Sequence, residues 1–338
     1  MPDVKAENRR QITFREAILE AQRMALQEDP RVFLLGAGVG GPSGVFKTTE
    51  GLKEKFGPRR IMDVPVCENT ITGIALGAAL AGLKPVLINM FTDFLFTSMD
   101  QIINHIAKYK YMFGGRASVP VVIRAIIGGR GGVAAQHGQP VQALFAHIPG
   151  IKVVMPSSAY EAKGLFLGSI ADGAPVIFIE HSWLYDKLEA VPKEAYTIPL
   201  GKSAVKRKGS DITIVADSVM VAMAMAAADQ LSQEGIEAEI IDLRTVKPLD
   251  HETILASVKR TRRACILDFG YMCCGISSEI AAFLSQECFG ILKGPVIRVG
   301  LPDIPLPAAP SLEAIYYPSA EEIILRIKHL FNQYPDKA

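Results

Sequence analysis

The chain has 338 residues, of which 49% are apolar and 21% charged. At the usual ~150 residues per domain this supplies about two sizeable cores and excludes a disordered chain. Thirty-six basic against 35 acidic side chains leave a net charge of +1, which argues against a nucleic-acid surface or an electrostatic membrane anchor.

In chain order, the segment Met1–Gln11 carries no apolar stretch of the kind that opens a secretory signal. Thr13 followed by Glu16 is a capping box, with Ile12 as its staple, and predicts a helix from Phe14 to about Gln27. Apolar runs and helical patterns then alternate. Strands are expected at Val32–Leu35, Val86–Asn89, Val121–Arg124, Lys152–Met155 and Val176–Ile179, and helices at Thr49–Phe56, Asn69–Ala81, Ser98–Tyr111 and Ser158–Ile170. Short buried strands separated by helices indicate parallel sheets covered on both faces. The longest apolar stretch, Asn69–Leu83, is shorter than the ~20 residues that span a bilayer.

Between His181 and Asp211 the alternation breaks in a charged stretch with Pro192, Pro199 and Lys206-Arg207-Lys208-Gly209, read as a crossing between domains. It then resumes with strand Ile212–Ala216, helix Val219–Glu234, strand Ala238–Asp242, helix Asp250–Lys259 and strand Ala264–Asp268. A helix Ser277–Cys288, a strand Val296–Val299, a proline-rich loop Pro302–Pro310 and a helix from Ser319 complete the chain. The expected fold class is α/β, as two three-layer domains with mainly parallel sheets. Their bounds are 12–185 and 211–338, with a linker at 186–210.

Several clusters invite a chemical reading. Gly36-Ala37-Gly38-Val39-Gly40-Gly41 satisfies the GxGxxG spacing, but Pro42-Ser43-Gly44 follows where a dinucleotide fingerprint opens straight into a helix, which favours a plain loop. Gly128-Gly129-Arg130-Gly131-Gly132, with Gln136-His137 just beyond, lies at the carboxyl end of a strand. Ligand approach and a surface turn are both open there. Gly73, Gly77 and Ala81 give a helix a small face that wants a close neighbour, from its own sheet or from another subunit. Glu68 stands where a first-turn acid serves the helix dipole, or where a carboxylate shares a proton with a ligand. The cysteines at 67, 265, 273, 274 and 288 form no CxxC pair and no Cys/His zinc spacing, so neither a disulfide framework nor structural zinc is expected. The reducing, cytoplasmic interior is the natural setting, with no membrane and no nucleic acid as partner.

Asp63–Gly73 (DVPVCENTITG), Phe91-Thr92-Asp93-Phe94, Asp100-Gln101-Ile102, Gln136-His137, Pro149–Val154 and Glu180 carry a resemblance over about Ile12–Leu330. In order and spacing they resemble the β subunit of the thiamine-diphosphate-dependent, decarboxylating first component of 2-oxo acid dehydrogenase complexes. Relatives act on pyruvate, branched-chain 2-oxo acids or acetoin. Tyr111–Gly115 with Ala134–His137 look nearest to the acetoin and bacterial pyruvate branches.

The resemblance implies a thiamine-diphosphate pyrimidine-binding fold followed by a transketolase C-terminal-like domain. It makes Glu68 the carboxylate on the aminopyrimidine ring, Phe94 its stacking aromatic and Val66 a neighbour of that ring. His137 becomes a histidine that works on substrate or lipoyl acceptor. It further implies an α subunit in an α2β2 assembly, a second β copy, and a lipoyl acyltransferase core docked through the C-terminal domain. The Gly-Asp-Gly metal motif occurs nowhere in the chain, which assigns Mg2+ and the diphosphate to the α subunit. Relatives hold K+ through backbone carbonyls near Val121 and Ser169–Asp172, a site that side chains leave open. Against the usual pattern, Ala37 and Ile88 replace acids of a proton channel, Met90 a glutamine, and Cys273-Cys274 a Thr-Gly pair. Two-carbon transfer without a lipoyl carrier, and a catalytically silent scaffold, are the alternatives.

Overall fold

The computed structural model describes residues 9–129 and 131–335; Arg130 of the second glycine cluster and the first eight residues lie outside them. The first half runs β1 (Arg9–Thr13), α1 (Phe14–Glu28), β2 (Val32–Gly36), α2 (Leu52–Phe56), β3 (Ile61–Asp63), α3 (Glu68–Leu80) and β4 (Lys84–Asn89). It continues through α4 (Tyr109–Met112), β5 (Val122–Ile127), α5 (Gln142–Ala146), β6 (Lys152–Val154), α6 (Ala159–Asp172), β7 (Val176–His181) and β8 (Leu188–Pro192). The second half holds β9 (Ala204–Arg207), β10 (Ile212–Ala216), α7 (Met220–Gln233), β11 (Ala238–Asp242), β12 (Thr245–Lys247) and α8 (His251–Thr261). Then come β13 (Ala264–Tyr271), α9 (Ile276–Glu287), β14 (Ile297–Leu301), α10 (Pro310–Tyr316) and α11 (Ala320–Gln333).

Local chemistry sets the helix starts. Thr13 accepts from the Glu16 amide while the Glu16 carboxylate accepts from the Thr13 amide, so the capping box is present in full. Ser158, Asp250 and Ser319 cap α6, α8 and α11 with the side-chain half alone, accepting from the amides of Glu161, Thr253 and Glu322. In the first sheet β4, β2 and β3 pair in parallel, as do β5 and β7, and every residue of β2, β5 and β7 is buried. Full burial on both faces is why these strands read as unbroken apolar runs. The sheet order is β12-β6-β7-β5-β4-β2-β3, and the second sheet is β14-β13-β10-β11-β9.

Three departures from the sequence reading matter. The stretch 186–210 is not plain linker: β8 pairs antiparallel with β1, and β9 pairs antiparallel with β11 at the edge of the second sheet. Short, half-polar edge strands leave no apolar run to find. β12 crosses back from the second half to pair antiparallel with β6, so the two halves share a sheet edge. Finally, the helix expected over 98–111 is replaced by a 3-10 turn at Thr92–Ser98, a π-helical stretch at Asp100–Ile106 and the short α4. Apolar positions 99, 102, 103 and 106 suit either winding, so periodicity alone did not separate them. Wider turns of this kind are frequent at functional sites.

Candidate active site

Glu68 is the first residue of α3, directly beyond the carboxyl end of β3. The capping position, Cys67, offers α3 no side-chain acceptor, so the helix begins with open amides and an acid in its first turn. Glu68 is half-buried, and no hydrogen bond or ion pair ties its carboxylate among the described residues. Val66, two residues earlier, is 77% exposed. These are the properties of groups set at an open mouth rather than in a core.

The other wall comes from the stretch 91–98, which packs against α3 and β4. Phe91 and Phe94 meet edge to face at 5.9 Å, and the His137 ring stands perpendicular to both, 4.8 Å from Phe91 and 5.5 Å from Phe94. Phe46 extends the aromatic wall, 5.7 Å from Phe91. The loop carrying His137 is tied to the same stretch by two bonds. Thr92 Oγ1 donates to the Gln139 carbonyl at 2.8 Å, and Gln139 Nε2 donates to Asp93 at 2.8 Å. Phe94 and His137, far apart in sequence, are therefore held as one unit.

The second glycine cluster explains itself through packing. A Cβ on Gly128 would sit 2.0 Å from the His137 carbonyl, and one on Gly129 would sit 2.6 Å from the Trp183 indole nitrogen. Gly138 presses on Leu306 from the proline-rich loop, where a Cβ would come within 2.6 Å. Gly128, Gly129 and Gly138 thus let two loops and the second half of the chain close onto the histidine, while Gly131 and Gly132 are exposed. The first cluster differs. Gly36 lies against the Ile88 carbonyl, the Gly38 amide donates to Asp63 at 2.8 Å, and no helix follows until Leu52. A dinucleotide fingerprint requires its helix at once, and the loop lacks it.

The small face of α3 is divided. Gly73 meets Gln101 of its own chain, at 3.4 Å from a built Cβ, whereas Gly77 has nothing within 4 Å and lies beside exposed Ile74 and Leu80. One end is thus covered internally and the other stands open.

Glu180 is locked rather than open. It is fully buried, accepts two bonds from Arg124 at 2.5 and 2.8 Å, and accepts a third from the Tyr185 hydroxyl at 3.0 Å. Arg124 is completed by Gln22 and Thr48, and burial beside Glu180 raises the Tyr185 phenol well above its ordinary value. With Ala37 half-buried and Ile88 in the core, nothing here resembles a run of exchangeable acids. Sequence reasoning missed this network, and also Phe91 as the partner of His137; the only signal was one arginine inside the apolar run of β5.

Among the described residues no group of three His, Cys, Asp or Glu side chains is placed to hold a metal ion, and no helix is long and apolar enough to cross a membrane. Val121 gives its carbonyl to the Val176 amide at 2.9 Å, a contact four residues beyond the Ser169–Asp172 segment.

Comparison with known proteins identifies the two domains and the family. The transketolase pyrimidine-binding domain model matches residues 10–187 and the transketolase C-terminal domain model matches 201–323. A pyruvate dehydrogenase E1 component subunit beta from Rickettsia felis is 42% identical over 318 residues, covering 94% of this chain and 98% of the relative. An acetoin:2,6-dichlorophenolindophenol oxidoreductase subunit beta from Cupriavidus necator is 44% identical over 324 residues, covering 93% and 96%. Among solved structures, a split-gene transketolase described as an inactive β4 tetramer superposes with a TM-score of 0.80 at 25% identity, covering 96% of this chain and 99% of that one. A transketolase from Pichia stipitis shares the fold, with a TM-score of 0.68. By sequence, domain content and fold, the chain belongs to the family of β subunits of the pyruvate and acetoin dehydrogenase first component.

Proposed function

We propose that this chain supplies the pyrimidine-recognising half of a thiamine-diphosphate site, shared with an α subunit in an α2β2 enzyme. That enzyme oxidatively cleaves a 2-oxo acid or acetoin and passes the acyl group to a lipoyl carrier. When bound, the cofactor supplies a thiazolium carbon that becomes the nucleophile. Everything else asked of this chain is recognition and proton handling. Glu68 shares a proton with the far nitrogen of the aminopyrimidine, which makes the amino group of that ring a competent base. Phe94 offers its ring to the pyrimidine and Val66 covers the edge. His137, held upright between Phe91 and Phe94, faces substrate and acceptor. The carrying observation is that the Phe94–His137 unit and the open Glu68 carboxylate lie on segments that pack together.

With no Gly-Asp-Gly motif in the chain, the diphosphate and Mg2+ fall to the α subunit. K+ at the Val121 and Ser169–Asp172 backbone, a second β copy, an acyltransferase core at the C-terminal domain and a cytoplasmic location complete the reading. Transfer of a two-carbon unit without a lipoyl carrier remains the rival reading, and dependence of turnover on a lipoylated partner separates the two.

Replacing Glu68 by Gln in the assembled enzyme tests the assignment. Turnover should fall by at least about 10²-fold, the usual worth of a placed acid or base, with melting unchanged. Turnover within about threefold of the parent would remove Glu68 from the mechanism.

A further inference from the structure

β13 ends at Tyr271 and α9 begins at Ile276; the turn between them carries two adjacent thiols. Cys273 and Cys274 are both exposed, and their sulfurs lie 3.9 Å apart with the Cys273 thiol directed at its neighbour. The turn is pinned. The Met272 amide donates to the Leu301 carbonyl at 3.0 Å, Arg298 donates to the Met272 carbonyl at 3.0 Å, and a Cβ on Gly275 would lie 2.3 Å from the Tyr271 carbonyl. Both cysteines line a cavity of about 1110 Å³ between the two halves, together with Phe96, His147 and Tyr271.

A second observation singles out this turn. Cys274 has φ = 54°, in the left-handed region that glycine occupies freely and a β-carbon does not. A strained side chain persists where surrounding structure holds it, and such positions cluster at functional sites. The remaining thiols do not compete: Cys265 and Cys288 are buried, and Cys67 is half-buried with its thiol donating to Pro65.

We propose that Cys273 and Cys274 form a binding site for a bidentate soft electrophile, of the class of monosubstituted trivalent arsenicals. The geometry distinguishes this from the other fates of a thiol pair. Consecutive Cα atoms stand about 3.8 Å apart, inside the 4.4–6.8 Å that disulfides usually need, so direct S–S closure is disfavoured. Trivalent arsenic is pyramidal, so with bonds of about 2.3 Å, near the zinc–thiolate length, and an angle close to a right angle it would hold two sulfurs about 3.4 Å apart, a small side-chain rotation from the observed 3.9 Å. No third His, Cys, Asp or Glu joins the pair among the described residues, so the ligand must complete its own shell. An aryl arsenical does so. Its two arsenic–oxygen bonds are replaced by two arsenic–sulfur bonds, both thiol protons leave with the oxygen as one water, and no atom changes oxidation state.

Phenylarsine oxide is the probe, used on the reduced full chain alone and in the assembled enzyme, with intact-mass and thiol counting. One phenylarsenic should bind per chain, two thiols should vanish together, and a small dithiol should reverse both. Cys273→Ser and Cys274→Gly should each weaken binding by about 10²–10⁴-fold, the usual gain of a second tethered contact, and Cys67→Ser should change nothing. Glycine suits the backbone at 274, so that variant should melt no lower than the parent and loss of binding is not loss of fold. Stoichiometric binding that survives Cys273→Ser, an adduct on Cys67, or an arsenic bridging two chains would overturn the assignment.

Discussion

Two carboxylates of the first half, one on a helix start and one on a strand, have opposite lives. Glu180, on β7, has each oxygen occupied by Arg124 and a third bond from Tyr185, and water has no access to it. Glu68, at the head of α3, is half-buried, and its carboxylate has no hydrogen bond or ion pair among the described residues. A satisfied buried ion pair has no valence left for a ligand and its worth is structural. An open carboxylate at a helix start costs the fold little and keeps its capacity for a proton. The second half of the chain shows a third solution. Asp217 and Asp268, both buried at the end of the second sheet, lie close enough to interact and have no ion pair among the described residues. Burial, then the neighbouring charge of Asp268, pushes Asp217 well above the carboxylate range, so Asp217 keeps its proton where an ordinary carboxyl loses it. Asp268 in turn accepts from Gln142 of the first half at 3.1 Å, which places the two acids at the junction of the halves.

Breaking the locked pair should have the largest effect on stability. Arg124→Met leaves Glu180 buried without its cation and should cost about 3–5 kcal/mol in denaturant unfolding, whereas the double variant Arg124→Met/Glu180→Met should recover most of that loss. Equal losses in the single and double variants would show that the network is not a charge pair.

On the open side, His137→Ala should leave thiamine-diphosphate affinity of the assembled enzyme within a few-fold, because His137 meets Phe94 only through its ring. The same variant should lower turnover by about 10²-fold if the ring moves a proton for substrate or acceptor. Titration of cofactor together with single-turnover kinetics separates the two. A large loss of affinity would make His137 a support for Phe94.

The smallest effect belongs to the buried Asp217 carboxyl. Asp217 has a raised folded-state pKa, so its contribution is complete below the unfolded value near ~4 and is lost as pH rises through the folded value. Asp217→Asn removes that loss and keeps the acceptor that serves the Phe269 amide, bonded now at 3.0 Å. Melting temperatures at pH 5 and pH 8 should therefore diverge less in the variant than in the parent. Equal divergence would place the proton elsewhere.

How much of this the sequence disclosed follows from distance along the chain. The Thr13–Glu16 box spans four residues and was read outright, as were the buried runs of β2, β5, β10 and β11. Glu68, Phe94 and His137 were named from ordered motifs, and the structure adds the Phe94–His137 contact. Arg124 was not read, because Gln22, Thr48 and Glu180 sit on distant segments and none announces its partner. The same holds for Asp217 with Asp268, and for β12, three residues that pair with the other half of the chain. The glycines at 128 and 138 carried a visible signal without its meaning, since what they approach is fixed only by tertiary packing.

The central claim is that this chain holds the pyrimidine end of the cofactor and leaves the diphosphate to a partner. Calorimetry of the purified chain with thiamine diphosphate and Mg2+, repeated after addition of the α subunit, tests it directly. The account predicts weak binding by the chain alone and tight binding only in the assembled enzyme. Micromolar binding by the chain alone would show that the site is complete within it and would contradict the shared-site reading.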